Sequence, residues 1–118
     1  MNILLKIFIV SILFTLPQSI KAQNNKKTTT VEFEVKGVCG MCKERIEDAG
    51  LIKGVKFLEW DQQSGLVKAV YKEGKITEKE IHEAIANVGH STSQVKANKE
   101  AYDALPPCCA YEDGVTKH

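Results

Sequence analysis

The chain has 118 residues and a formal net charge of +1, with 16 Lys and Arg against 15 Asp and Glu. That length is one domain and not two. The near balance of charge excludes the basic patch that nucleic-acid binding or an anionic membrane surface needs.

Residues 1–22 read as a secretory signal peptide. Lys6 gives a positive start, residues 7–16 (IFIVSILFTL) are apolar, Pro17 breaks the run and Ala22 is a small cleavage residue. The apolar run is about ten residues, half of the ~20 a bilayer span requires. No cysteine directly follows it to carry a lipid. The expected product is a periplasmic or secreted protein with no membrane attachment after cleavage. Lys6 and Lys21 leave with the signal, so the mature chain is slightly acidic. Residues 23–29 form a polar, flexible lead-in.

The domain proper is expected over residues 30–97. Residues 30–36 alternate, with Val31, Phe33 and Val35 on one face and Glu32 and Glu34 on the other, which predicts a half-buried strand. Residues 37–41 are a glycine-bearing loop. Residues 42–49 read as a helix whose inner face holds Cys42, Ile46 and Ala49, loosened or ended by Gly50. Residues 54–61 predict a second strand with Leu58 and Trp60 on one face. Residues 66–72 predict a third with Val67, Ala69 and Tyr71 inward. Thr77 and Glu80 have capping-box spacing, and Ile81, Ala84, Ile85 and Val88 form an apolar stripe up to Gly89. Residues 90–97 have room for a short fourth strand. Residues 98–118 are a C-terminal extension, beginning with a short helix capped by Asn98 and stopped by Pro106 and Pro107. The order strand-helix-strand-strand-helix-strand predicts an α+β two-layer sandwich, with two helices on one face of an antiparallel sheet.

All four cysteines lie beyond the signal: Cys39 and Cys42 as CxxC, Cys108 and Cys109 side by side. Disulfides that staple distant elements rarely show such close pairs, which suit chelation or redox chemistry better. CxxC at a strand-to-helix turn lets both sulfurs face one point, and the start of the helix favours thiolate over thiol. A thiolate pair is a soft ligand set, preferred by Cu(I) and usable by Hg(II) or Zn(II). A structural zinc site wants four ligands.

The stretch Val35-Lys36-Gly37-Val38-Cys39-Gly40-Met41-Cys42-Lys43-Glu44-Arg45-Ile46-Glu47 resembles the metal loop of heavy-metal-associated (HMA) domains. That family includes copper chaperones, modules of copper-pumping ATPases and exported mercury-binding proteins. Its usual signature is glycine, methionine, a small residue, CxxC, three residues and Ile-Glu. Gly54-Val55 and residues 76–89 resemble its later elements, so the likeness spans about residues 30–96. It implies a ferredoxin-like βαββαβ fold, with Cys39 and Cys42 as the ligands by position. It also implies a metal transporter or another metal-binding protein as the partner. The loop is one residue short before Cys39. Val38 stands where a methionine normally packs beneath the loop, unless Met41 takes that role.

In that topology the loop after the second helix returns to the CxxC end. His90 is then a candidate third ligand or a group behind the ligands, the alternative being a surface histidine. Cys108 and Cys109 either return to the same site or form a separate tail. His82, beside Glu78 and Glu83, reads as a solvated residue of the helix's polar side, and His118 as a frayed end. Two functions are consistent with CxxC: a carrier or store of a soft metal ion, Cu(I) first and Hg(II) second, which is not an enzyme, or a thiol-disulfide oxidoreductase.

Overall fold

Alternation decides the first strand. In the computed structural model, which describes residues 27–113, β1 (Thr28–Glu34) buries Phe33 and exposes Glu32 and Glu34. It pairs antiparallel with β3 (Leu66–Lys72), Val31 opposite Ala69 and Phe33 opposite Val67. β3 pairs in turn with β2 (Val55–Trp60), Trp60 opposite Val67, so the sheet order is β1-β3-β2. The signal peptide, most of the lead-in and His118 lie outside the described residues.

Helix α1 (Gly40–Gly50) buries Cys42, Ile46 and Gly50. Helix α2 (Glu78–Ala86) begins at the predicted capping box: the Thr77 hydroxyl accepts from the Glu80 N–H, and the Glu80 carboxylate accepts from the Thr77 N–H at 2.8 Å. Ile46, Ile81 and Ile85 from the two helices meet Phe33, Leu58, Val67 and Ala69 from the sheet in one core. This is the α+β ferredoxin-like arrangement.

The fourth strand is reduced to a single antiparallel bridge, Val35 to Thr92, on the free side of β1. The cause is local. The Thr92 hydroxyl accepts from the Gln94 and Val95 N–H groups at 3.2 and 3.0 Å, and the Thr92 N–H donates to the Val95 carbonyl at 2.9 Å. A threonine side chain that offers the backbone partners of its own competes with the sheet ladder.

His82 is not solvated. It is fully buried with its ring centroid 3.8 Å from that of Phe33. The Glu78 carboxylate only accepts, so His82 Nε2–H donates to it at 3.3 Å, and the Thr92 hydroxyl meets Nδ1 at 2.6 Å. The inner face of α2 is accordingly wider than the predicted stripe, taking in His82 and Ala86 while Ala84 and Val88 sit at its margin.

The extension folds back over one end of this sandwich. Asn98 caps α3 (Lys99–Asp103), accepting from the Ala101 N–H at 3.0 Å. Two 3-10 turns follow, Pro107–Cys109 and Tyr111–Asp113. Gly89 makes the return possible: its φ is +102°, and a Cβ there would stand 2.9 Å from the Ala101 carbonyl oxygen. Gly89→Ala should therefore cost at least about 1–2 kcal/mol from the left-handed backbone alone. Urea denaturation of the variant checks this, and an unchanged midpoint would contradict the close packing of α3 on the end of α2.

Candidate metal centre

The loop from β1 to α1 is held on three sides. Lys36 N–H donates to the Ser91 carbonyl at 2.9 Å, and Gln62 Nε2 donates to the Val38 carbonyl at 3.2 Å. Beneath the loop lies Trp60, fully buried, its Nε1–H shared between the Val35 and Gly65 carbonyls at 3.1 and 3.2 Å. A Cβ on Gly37 would come within 2.9 Å of the indole, so only glycine fits that approach. Val38 is buried, whereas Met41 is 51% exposed. The packing position beneath the loop thus belongs to Val38, and Met41 faces outward.

Cys39 is the N-cap of α1, so its sulfur stands at the start of the helix. Cys39 Sγ lies 3.5 Å from Cys42 Sγ and 3.5 Å from Cys109 Sγ. All four cysteines are free thiols. Cys42 and Cys109 are fully buried and Cys39 nearly so. The two thiol pairs, 70 positions apart between Cys39 and Cys109, form one cluster.

Tyr111 anchors the segment that brings Cys109 in. Its hydroxyl donates to the Gly89 carbonyl at 2.8 Å and accepts from the Ser91 N–H at 3.1 Å. Its ring meets Tyr102 edge-on with centroids 4.9 Å apart. Cys108, half-buried, sits at the rim and donates its S–H to Met41 Sδ at 3.7 Å. The sulfurs of Cys39, Cys108 and Cys109 all lie within 4.8 Å of one another. Arg45, one turn beyond Cys42, reaches Cys109 Sγ with Nη1 at 3.4 Å. Neither Arg45 nor Tyr111 stands out in the sequence, although the spacing of Arg45 from Cys42 on one helical face is a usable signal.

His90 is not at the surface, and it is not among the groups gathered with Cys39, Cys108 and Cys109. It is fully buried, and its Nδ1–H donates to the Lys36 carbonyl at 2.7 Å, bracing the start of the metal loop. Nε2 is buried without a partner. Burial pushes the His90 ring below the usual histidine range, the Arg45 charge adds to that, and the Lys36 bond opposes it. His90 is therefore a neutral imidazole near neutral pH.

The thiols differ in electrostatics. Burial alone raises the Cys39 thiol, but the Cys42 and Met41 N–H groups at the start of α1 and the Cys109 and Cys42 thiols outweigh it and hold Cys39 down at about 7. Burial, with Cys42 and Cys39 beside it, pushes the Cys109 thiol well above the ordinary range, against the pull of Arg45. A thiol that ionises readily thus sits beside one that burial keeps protonated until a bound cation displaces its proton.

Fold and site together define a small α+β domain that resembles heavy-metal-associated domains, with thiols gathered at the strand-to-helix loop. No family model and no curated relative matches the chain. Among solved structures it is similar to a CopZ metallochaperone, 27% identical with a TM-score of 0.52 over 54% of this chain and 98% of that one. It is also similar to the N-terminal domain of a potential copper-translocating P-type ATPase from Bacillus subtilis in the Cu(I)-loaded state. That match is 25% identical with a TM-score of 0.52, over 56% of this chain and 85% of that one. Oxidised MerP from Ralstonia metallidurans CH34 shares the fold: TM-score 0.54, 22% identity, 57% of this chain and 96% of that one. The resemblance read from the metal loop thus extends to the architecture.

Proposed function

We propose that the protein is an exported store or carrier of a thiophilic ion, Cu(I), bound by Cys39 and Cys42 with Cys109 as a third sulfur. The convergence of these sulfurs, each 3.5 Å from Cys39, is the observation that carries this reading. Three thiols suit a soft monovalent ion, whereas a structural zinc site uses four protein ligands. Hg(II) is the alternative cargo, because softness alone does not separate the two ions. His90 holds the loop through Lys36. Burial of Cys42 and Cys109 weights the function toward sequestration. Handing the ion to a partner, a transporter module or another metal-binding protein, requires the 108–109 segment to move aside so that an incoming thiol can replace one sulfur at a time.

The oxidoreductase reading has less support. It wants a thioredoxin-like βαβ context with a cis-proline facing the thiols, whereas the described residues form a ferredoxin-like sandwich with no cis peptide.

Competition with a colorimetric Cu(I) chelator under anaerobic conditions tests the proposal. Wild type should retain the ion where Cys39→Ser/Cys42→Ser gives it up, and equal retention by both proteins would remove the metal function. Mass spectrometry of the exported product, expected to begin at Gln23, checks the export step.

A further inference from the structure

Two sulfurs remain after the inner trio is counted, and they face each other. Met41 Sδ and Cys108 Sγ stand 3.7 Å apart at the mouth of the site. They border an open basin whose other walls are Cys39, Gly40 and Glu44. An exposed methionine by itself needs no explanation. Here the thioether comes from between the two CxxC cysteines, and the thiol from a segment 67 positions away. The fold has therefore built a second sulfur pair next to the first cluster. Cys39 belongs to both, since its sulfur is 3.5 Å from Cys42 and Cys109 and within 4.8 Å of Cys108.

We propose that this outer pair is a second site for a soft monovalent cation of the Cu(I) class, with Cys39 bridging it to the inner ion. This rests on the inner site proposed above. The donor set selects the class: a thiolate with a thioether is a soft combination that disfavours hard cations such as Mg²⁺ or Ca²⁺. A thiolate sulfur has lone pairs enough to bind two soft ions at once, which lets Cys39 serve both sites. Cys108 binds as thiolate and gives its proton to solvent. Its partial exposure, with that of Met41, makes the outer site the one that solvent and exchanging thiols reach first. Cys42 and Cys109 then hold the inner ion out of contact with water. Arg45, bonded to Cys109 Sγ, places a positive charge beside the inner thiols and offsets part of the negative charge of a multi-thiolate cluster.

Anaerobic titration with Ag(I), a redox-inert stand-in for Cu(I), followed by native mass spectrometry of the whole exported chain, tests this. Wild type is expected to take two ions in two steps of unequal affinity. Met41→Leu/Cys108→Ser, which changes only rim residues, should take one ion and keep the tighter step unchanged. Cys39→Ser/Cys42→Ser should lose both. One ion in wild type, or two in the Met41/Cys108 variant, overturns the outer site and leaves the inner one standing. No tight ion in wild type overturns the inner site itself. Two ions accompanied by dimer formation also overturns the proposal, because the second ion would then lie between copies.

Discussion

Replacing Cys109 by serine should weaken Cu(I) retention at least tenfold, about 1.4 kcal/mol or more. The substitution leaves the shape of the site almost intact and exchanges a soft sulfur for a hard oxygen, so the ion falls from three sulfurs to the CxxC pair. The tail should stay docked, since Tyr111 remains bonded to Gly89 and Ser91, and the Glu112 N–H to the Tyr102 hydroxyl at 3.1 Å. The introduced hydroxyl can also accept from Arg45, as Cys109 Sγ does now. The loss would therefore report the ligand and not the lid. Cys108→Ser supplies the internal comparison: the half-buried rim thiol is not part of the inner trio, and its loss should leave the tightest binding unchanged. The same chelator competition reads both variants. Equal affinities for wild type and Cys109→Ser would reduce the inner site to two ligands and leave the tail as a cover only.

Much of this arrangement is legible in the residues. Strand alternation identifies the inner face at Val31, Phe33, Val35, Leu58, Trp60, Val67, Ala69 and Tyr71; seven of these eight are buried and Val31, near the start of β1, is half-buried. CxxC at the loop-helix junction places Cys39 and Cys42 together because the turn into a helix leaves little choice. The capping box at Thr77 and the Asn98 cap are local signals, decided within four residues, and both form as expected.

What stays hidden depends on contacts between distant segments. The spacing of the extension lets Cys108 and Cys109 return to the loop but does not say which thiol enters. That choice is made by the turn Pro107–Cys109, which seats Cys109 against Cys39 and leaves Cys108 facing Met41. His82 looks polar in its helix because its partners, Phe33 and Thr92, lie in other elements. The fourth strand fades to one bridge because Thr92 offers the neighbouring N–H groups a nearer acceptor. Cys42 is buried by its place on the inner face of α1, whereas the thiol that meets Cys39 from the other side, Cys109, comes from the extension.

The largest expected effect on stability comes from Trp60. Trp60→Ala should lower the folding free energy by about 3–5 kcal/mol, the usual cost of truncating a buried tryptophan. Typical domains hold only about 5–15 kcal/mol in total. The urea midpoint should accordingly fall by at least about 1 M. Three losses add. The indole is fully buried between the sheet and the loop, so its removal opens a cavity at the centre of the fold. The Val35 carbonyl loses its N–H donor, while the Gly65 carbonyl keeps the Val35 N–H at 2.8 Å. The glycine at position 37, fitted to within 2.9 Å of the ring, is left without a floor. Trp60→Phe separates packing from hydrogen bonding: it fills most of the space but supplies no donor, and should cost about 1–3 kcal/mol. Circular dichroism during urea titration follows all three proteins, including the alanine variant that lacks the indole. An alanine variant within about 1 kcal/mol of wild type would mean that the loop does not rest on this side chain. The position of Cys39 would then need another support than the sheet beneath it.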